Sequence, residues 1–142
     1  MKKIAVIYWS QTGNTAQMAE AVAAGAKEAG ADVHLTEVSG ISAQEAAAYD
    51  ALALGCPAMG AEVLEEAEFE PFFTELEPHL QGKPLLLFGS YGWGDGQWMR
   101  DWQERCEKAS AALVGSQGVM ACGAPGAEET AQCKTLGAAL AQ

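Results

Sequence analysis

Basic residues are scarce in this 142-residue chain, eight Lys and Arg against nineteen Asp and Glu, for a formal charge of −11. Nucleic acids and anionic membranes are held through Lys and Arg, so neither is an expected partner. The scarcity is uneven. No Lys or Arg lies between Lys27 and Lys83, whereas Glu62, Glu65, Glu66, Glu68, Glu70, Glu75 and Glu77 crowd one stretch. Long apolar runs are also missing: Met1-Lys2-Lys3 leads into only six apolar residues, Ile4 to Trp9. That is too short for a signal-peptide core or a transmembrane span, and a cytoplasmic location is expected. Cys56, Cys106, Cys122 and Cys133 form no CxxC, and His34 and His79 stand apart, so free thiols and no metal centre are expected. With no repeat and no linker-like segment, residues 1–142 read as a single domain, expected to be monomeric.

What is present is a regular alternation. Lys3 to Trp9 is a continuous apolar segment of strand length, the pattern of a strand buried on both faces. Asn14 to about Ala29 has helical periodicity in Met18, Val22, Gly25 and Ala29, with Gly30 as its stop. Asp32 to Val38 alternates as an edge strand does. A short helix from Ala43 to Tyr49 then precedes a third strand, Ala51 to Gly55. Glu68 to Glu77 predicts a helix with Pro71 in its first turn, and Pro84 to Gly89 a fourth strand. Gln97 to about Ala112 predicts a helix, Leu113 to Ala121 a fifth strand broken by polar residues, and Ala127 to Ala141 a last helix. Five repeats of strand and helix imply a doubly wound α/β sheet, parallel and covered on both faces.

Between the first strand and first helix lies Ser10-Gln11-Thr12-Gly13-Asn14-Thr15. The first N–H groups of a helix have no internal partner and the macrodipole is positive there, so such a loop can hold a phosphate. Ser10, Thr12, Asn14 and Thr15 add side-chain donors, and Gly13 lets the backbone come close. An ordinary N-cap uses the same residue types, but rarely so many of them directly after a buried strand. The loop contains no Lys or Arg. A triphosphate loop GxxxxGK[ST] needs its Lys, and a dinucleotide loop needs GxGxxG; neither pattern is here. A cradle of hydroxyls and amides suits one terminal phosphomonoester that is bound and left unreacted.

In a sheet of this kind ligands bind off the carboxyl ends of the strands, so the loops after strands one, three and four should converge. The second offers Pro57, Ala58, Met59, Gly60 and Glu62, and the third Ser90, Tyr91, Gly92, Trp93 and Gly94. A flat aromatic ligand with a phosphate tail matches this set. A ring and a thioether cover its faces, and a carboxylate accepts from a ring N–H. Trp93 between two glycines is hard to place in a core. The motif S-x-T-G-N-T together with Gly55-Cys56-Pro57-Ala58-Met59-Gly60, Glu70-Pro71-Phe72-Phe73 and Phe88-Gly89-Ser90-Tyr91-Gly92-Trp93-Gly94 resembles the short-chain flavodoxins of anaerobic bacteria, over nearly the whole chain.

The resemblance implies the strand order 2-1-3-4-5 and bound FMN. Ser10, Gln11, Thr12, Gly13, Asn14 and Thr15 would surround the phosphate, and Ser90 and Tyr91 would neighbour the ribityl chain or the phosphate. Met59 and Trp93, with Pro57, Ala58, Gly92 and Gly94 beside them, would flank the isoalloxazine, and Glu62 would accept from its N3–H. Gly60 would let its peptide rotate on reduction, offering a carbonyl to the proton gained at flavin N5. The implied function is a low-potential one-electron carrier, cycling mainly between semiquinone and hydroquinone, without a substrate of its own. Its partners would be redox enzymes with basic docking surfaces, such as ferredoxin-type reductases and dehydrogenases.

Other uses of such a fold fit less well. Phosphoacceptor receiver domains need clustered Asp at the ends of strands one and three, where this chain has Tyr8-Trp9-Ser10 and Gly55-Cys56. A low-molecular-weight tyrosine phosphatase needs C-x5-R in the first loop. The alternative retained is an FMN-dependent quinone or azo reductase, which needs an inserted segment or a second subunit to close a substrate pocket over the flavin.

Overall fold

The computed structural model describes residues 1–115 and 117–142. Strand β1 (Lys3–Tyr8) is followed by α1 (Asn14–Glu28), β2 (Asp32–Glu37), the short α2 (Ala43–Ala47) and β3 (Ala51–Gly55). Then come α3 (Phe69–Leu76), β4 (Pro84–Tyr91), α4 (Gln97–Lys108), the strand segments β5 (Ala112–Leu113) and β6 (Val119–Cys122), and α5 (Ala127–Leu140). All pairings are parallel and the order is β2-β1-β3-β4-β5, with β6 also on β4. The expected order 2-1-3-4-5 therefore holds.

Continuous apolar strands are buried on both faces because each face meets a helical layer. Ile4 and Val6 point to the layer of α1 and α5, together with Met18, Val22, Ala53, Leu86 and Phe88. Ala5 and Ile7 point the other way, into a core with Leu52, Leu54, Phe69, Phe73, Trp98 and Trp102. Side chains on a strand alternate, so two cores read from one strand as an unbroken apolar run. In the first layer α1 and α5 pack backbone against backbone: a Cβ at Gly25 would overlap the Lys134 carbonyl, and one at Gly137 the Val22 carbonyl. In the second layer Trp102 sits edge-on between Phe69 and Phe73, at 5.5 and 5.9 Å between ring centroids.

Several boundaries differ from expectation: α2 ends at Ala47, two residues before the expected Tyr49, and three other differences bear on the site or the sheet. The fifth strand is two segments in line, pairing Leu113 with Leu85 and Val119 with Phe88. Its polar interruption includes Ser116, which lies outside the described residues. Strand β4 continues through Ser90 and Tyr91, because β6 supplies a partner as far as Tyr91 and Cys122. These two residues, expected in a loop, are strand residues. Helix α4 stops at Lys108, with Ser110 at φ 63° turning the chain toward β5.

Candidate functional site

At the end of β1 the Trp9 N–H donates to the Gly55 carbonyl at 3.0 Å, holding the first loop beside β3. Ser10 Oγ then accepts from the backbone N–H of Gly13 (3.1 Å) and of Ala16 (3.3 Å). A hydroxyl that accepts twice still has its own proton to give, so Ser10 can also donate. Gly13 takes φ 94°, a left-handed conformation open to glycine, and nothing stands within 4 Å of where a Cβ would be. Helix α1 has no side-chain N-cap and no acid in its first turn. The Ser10 hydroxyl meets the Ala16 N–H and Thr12 Oγ1 the Asn14 N–H, but no acidic side chain of the first turn offsets the positive end, as an anion site requires.

Thr15 lines the groove and also joins two elements. It is buried, its hydroxyl lies 3.1 Å from Ser90 Oγ, and it accepts the Ser90 N–H at 3.4 Å. The pair bolts the first turn of α1 to the end of β4, so the first and third loops keep a fixed spacing.

The second loop is anchored at its root by Trp98, whose indole N–H donates to the Cys56 carbonyl at 3.0 Å. Gly89 lets that carbonyl approach, since a Cβ there would overlap it. Burial pushes the Cys56 thiol far above the ordinary range, so it is a core group and no nucleophile. The Ala58 N–H donates to the Ser90 carbonyl at 3.0 Å, and Met59 and Val63 exchange two backbone hydrogen bonds of 2.9 Å to close a hairpin. Its three tip residues carry positive φ at Gly60 (51°) and Glu62 (56°). Beyond the hairpin the nearly buried Glu65 carboxylate accepts from the N–H groups of Ala67, Glu68 and Phe69 at 2.8–2.9 Å. Burial raises its pKa, but those three donors outweigh burial and hold it below the usual carboxylate range.

The three loops line one groove of about 150 Å³ at the carboxyl ends of β1, β3 and β4. Ser10, Gln11, Thr12 and Thr15 form one end; Pro57, Ala58 and Met59 form a wall; Ser90, Tyr91, Gly92 and Trp93 face them. Tyr91 is backed by Trp98, with ring centroids 5.4 Å apart. Trp93 is half exposed, and its indole N–H donates to the Gly60 carbonyl at 3.1 Å, across the groove's mouth.

Five expected residues do not line the groove. Gly13 and Asn14 form the turn into α1 behind it, and Gly60 is at the hairpin tip. Glu62 turns its Oε1 to the Gln97 N–H at the start of α4 (3.1 Å), and Gly94 packs against that carboxylate. A larger cleft of about 560 Å³ beside α5 is lined by Glu128, Gln132, Thr135 and Leu136, remote from the strand ends that position polar groups. The sequence reading missed Glu65 and Trp98, whose roles depend on backbone groups brought close by folding. It also missed the Trp9–Glu68 hydrogen bond of 3.2 Å between the first loop and the acidic stretch.

A helix end with hydroxyls and no acid in its first turn at one end of a groove, and an aromatic and a thioether at the other, place the chain among the flavin-mononucleotide-binding α/β proteins. The flavodoxin profile matches residues 6–137. The flavodoxin of Megasphaera elsdenii is 45% identical over 141 residues, covering 98% of both chains. That of Clostridium beijerinckii is 52% identical over 109 residues, 77% of this chain and 79% of the relative. The solution structure of two-electron reduced Megasphaera elsdenii flavodoxin superposes with a TM-score of 0.88 at 44% identity, covering 97% of this chain and 98% of that one. The chain belongs to the flavodoxin family, whose members bind FMN and transfer electrons rather than act as enzymes. Flavodoxin is itself a type example of the rule that ligands bind where strand order reverses, so the groove's position agrees with that rule without testing it.

Proposed function

We propose that this chain, acting as one 142-residue unit, is a monomeric cytoplasmic carrier of single electrons at low potential. The convergence of the three loops on one groove carries this reading. FMN supplies the redox chemistry when bound, working mainly between its one-electron- and two-electron-reduced forms. The residues of the chain hold and tune it. The first turn of α1, with Ser10, Thr12, Gly13 and Asn14, takes the phosphate, and Gln11 covers it. Thr15 and Ser90 keep the two ends of the site in register. Met59 and Trp93 flank the ring, with Pro57, Ala58, Tyr91, Gly92 and Gly94 shaping the space around it. Glu62 Oε1 is engaged by Gln97, which leaves Oε2 to accept from a ring N–H. The Gly60 carbonyl, at the hairpin tip beside Trp93, would accept a hydrogen bond from the ring N–H that reduction creates.

Trp93, Val63 and the hairpin tip are exposed next to Glu66 and Glu68, so redox enzymes with basic surfaces, such as ferredoxin-type reductases and dehydrogenases, are the partners this edge suits. Titration of the apoprotein with FMN should quench flavin fluorescence at a one-to-one endpoint, and FAD and riboflavin should bind far more weakly. A redox titration of the complex should then place the second-electron potential below that of free FMN. FAD as the preferred ligand, or a second-electron potential at or above the free value, would refute the reading.

A further inference from the structure

The hairpin that carries Met59, Gly60 and Glu62 stands in a stretch with no other regular structure between β3 and α3. Its outgoing leg is fixed to the sheet by the Ala58–Ser90 hydrogen bond. Its return leg has no strand to join. Val63 is 39% exposed and among the described residues its backbone pairs with Met59, so the leg is held by the next two residues, Leu64 and Glu65. Leu64 is buried, and Glu65 is tied in two directions. The Glu65 N–H reaches Cys56 Sγ at 3.4 Å, at the fully buried end of β3. The carboxylate takes the N–H groups of Ala67, Glu68 and Phe69, and the Glu65 carbonyl accepts from Glu70 at 2.8 Å. Phe69 is fully buried against Trp102, so α3 is a rigid support. A carboxylate only 7% exposed is costly unless its lone pairs are met by donors, and this one is met three times.

We propose that Glu65 is a positioning residue of the flavin site: by clamping the return leg between β3 and α3 it sets the place of the Met59–Val63 hairpin, and through it the wall on which the ring lies. The inference rests on the function proposed above. Glu65 touches no part of the groove; it acts through the hairpin.

Hydrogen exchange and FMN binding of the apoprotein test this with Glu65→Ala, Glu65→Gln and Glu66→Gln. Glu65→Ala should speed exchange at the Met59 and Val63 amides by about tenfold and weaken FMN binding by a similar factor. Glu65→Gln should fall between, because one amide oxygen can serve two of the N–H groups while its NH₂ opposes the third. Glu66→Gln removes the same charge from the exposed neighbouring position and should change neither. The proposal is overturned if Glu65→Gln, and Glu65→Ala where it folds, speed exchange at Phe69 and along α3 while Met59, Val63 and FMN affinity stay at wild type. In that case Glu65 only caps α3. It is overturned equally if Glu66→Gln matches Glu65→Gln, since charge and not position would then be at work. Failure of the wild-type protein to bind FMN would refute the functional reading instead, and the exchange data would still decide the role of Glu65 in the hairpin.

Discussion

At Gly60 and Glu62 the chain takes a left-handed backbone at two of the three residues of one hairpin tip. For Gly60 the sequence-based expectation was that conformational freedom is needed when the peptide rotates on reduction. The structure shows φ 51° at Gly60 and open space where a Cβ would go. Gly60→Ala therefore meets no clash but carries a backbone cost of about 1 kcal/mol already in the apoprotein. Its thermal midpoint should fall by about 3–5 °C, and an unchanged midpoint would mean the tip relaxes to negative φ. Glu62 accepts the same kind of strain with a side chain, which is common where function holds a residue in place. Glu62→Gln keeps the φ and an oxygen for Gln97 while removing the charge. A unit charge ~10 Å from the flavin at an effective dielectric near 20 amounts to about 1.7 kcal/mol, or roughly 70 mV before solvent screening. The second-electron potential should thus rise by some tens of millivolts, which a redox titration would read. Glu62 was identifiable from its motif. Its left-handed φ was not, because nothing in a glutamate announces a conformation that glutamate disfavours.

Helices α3 and α4 are joined by Arg105, which forks onto Glu70 at 2.7 and 2.9 Å and reaches Glu77 at 2.7 Å. Its guanidinium carbon also lies 4.8 Å over the Phe73 ring. Two of the glutamates that read as one crowded acidic stretch are therefore neutralised from another element, a pairing invisible while Arg105 stands more than twenty-five positions away in sequence. All three side chains are about a third exposed, so the cluster is worth less than a buried one. Arg105→Met should cost the apoprotein about 1 kcal/mol, seen as a shift of the urea midpoint at constant slope. Hydrogen bonding to Arg105 holds the Glu70 carboxyl below its ordinary range despite partial burial, and at Glu65, where burial is the largest single influence, the surrounding N–H groups together do the same. Each contribution to stability is complete above the unfolded value of about 4.3 and is lost as pH falls through the lower folded value. Urea unfolding between pH 7 and pH 3 should show a loss that begins below about pH 4.5. In Arg105→Met the part belonging to Glu70 should be missing, and an identical acid limb in the two proteins would contradict the assignment.

For the whole molecule, the formal charge of −11 includes Glu66 and Glu68, exposed in the segment that follows the hairpin. Association with a basic reductase should be steered by that field, and the steering decays as the Debye length shortens from ~10 Å at 0.1 M salt to ~3 Å at 1 M. Stopped-flow reduction should slow across that range, and a rate independent of salt would remove electrostatic steering from the account. The layered fold, its helices and most strand bounds were legible in the chain because burial on two faces writes itself as unbroken apolar runs, and helical burial as a 3.6-residue period. The loop from Ser10 to Thr15 was legible too as the link from a buried strand to a helix N-terminus, since its residues are contiguous. Tertiary structure alone decided the continuation of β4 through Tyr91, which depends on β6 as a neighbour, and the division of the fifth strand. It also decided that Thr15 and Ser90, 75 positions apart, fasten to each other. So with Glu65: a carboxylate in a run of glutamates is indistinguishable from its neighbours until folding brings three backbone N–H groups around it and takes away the water.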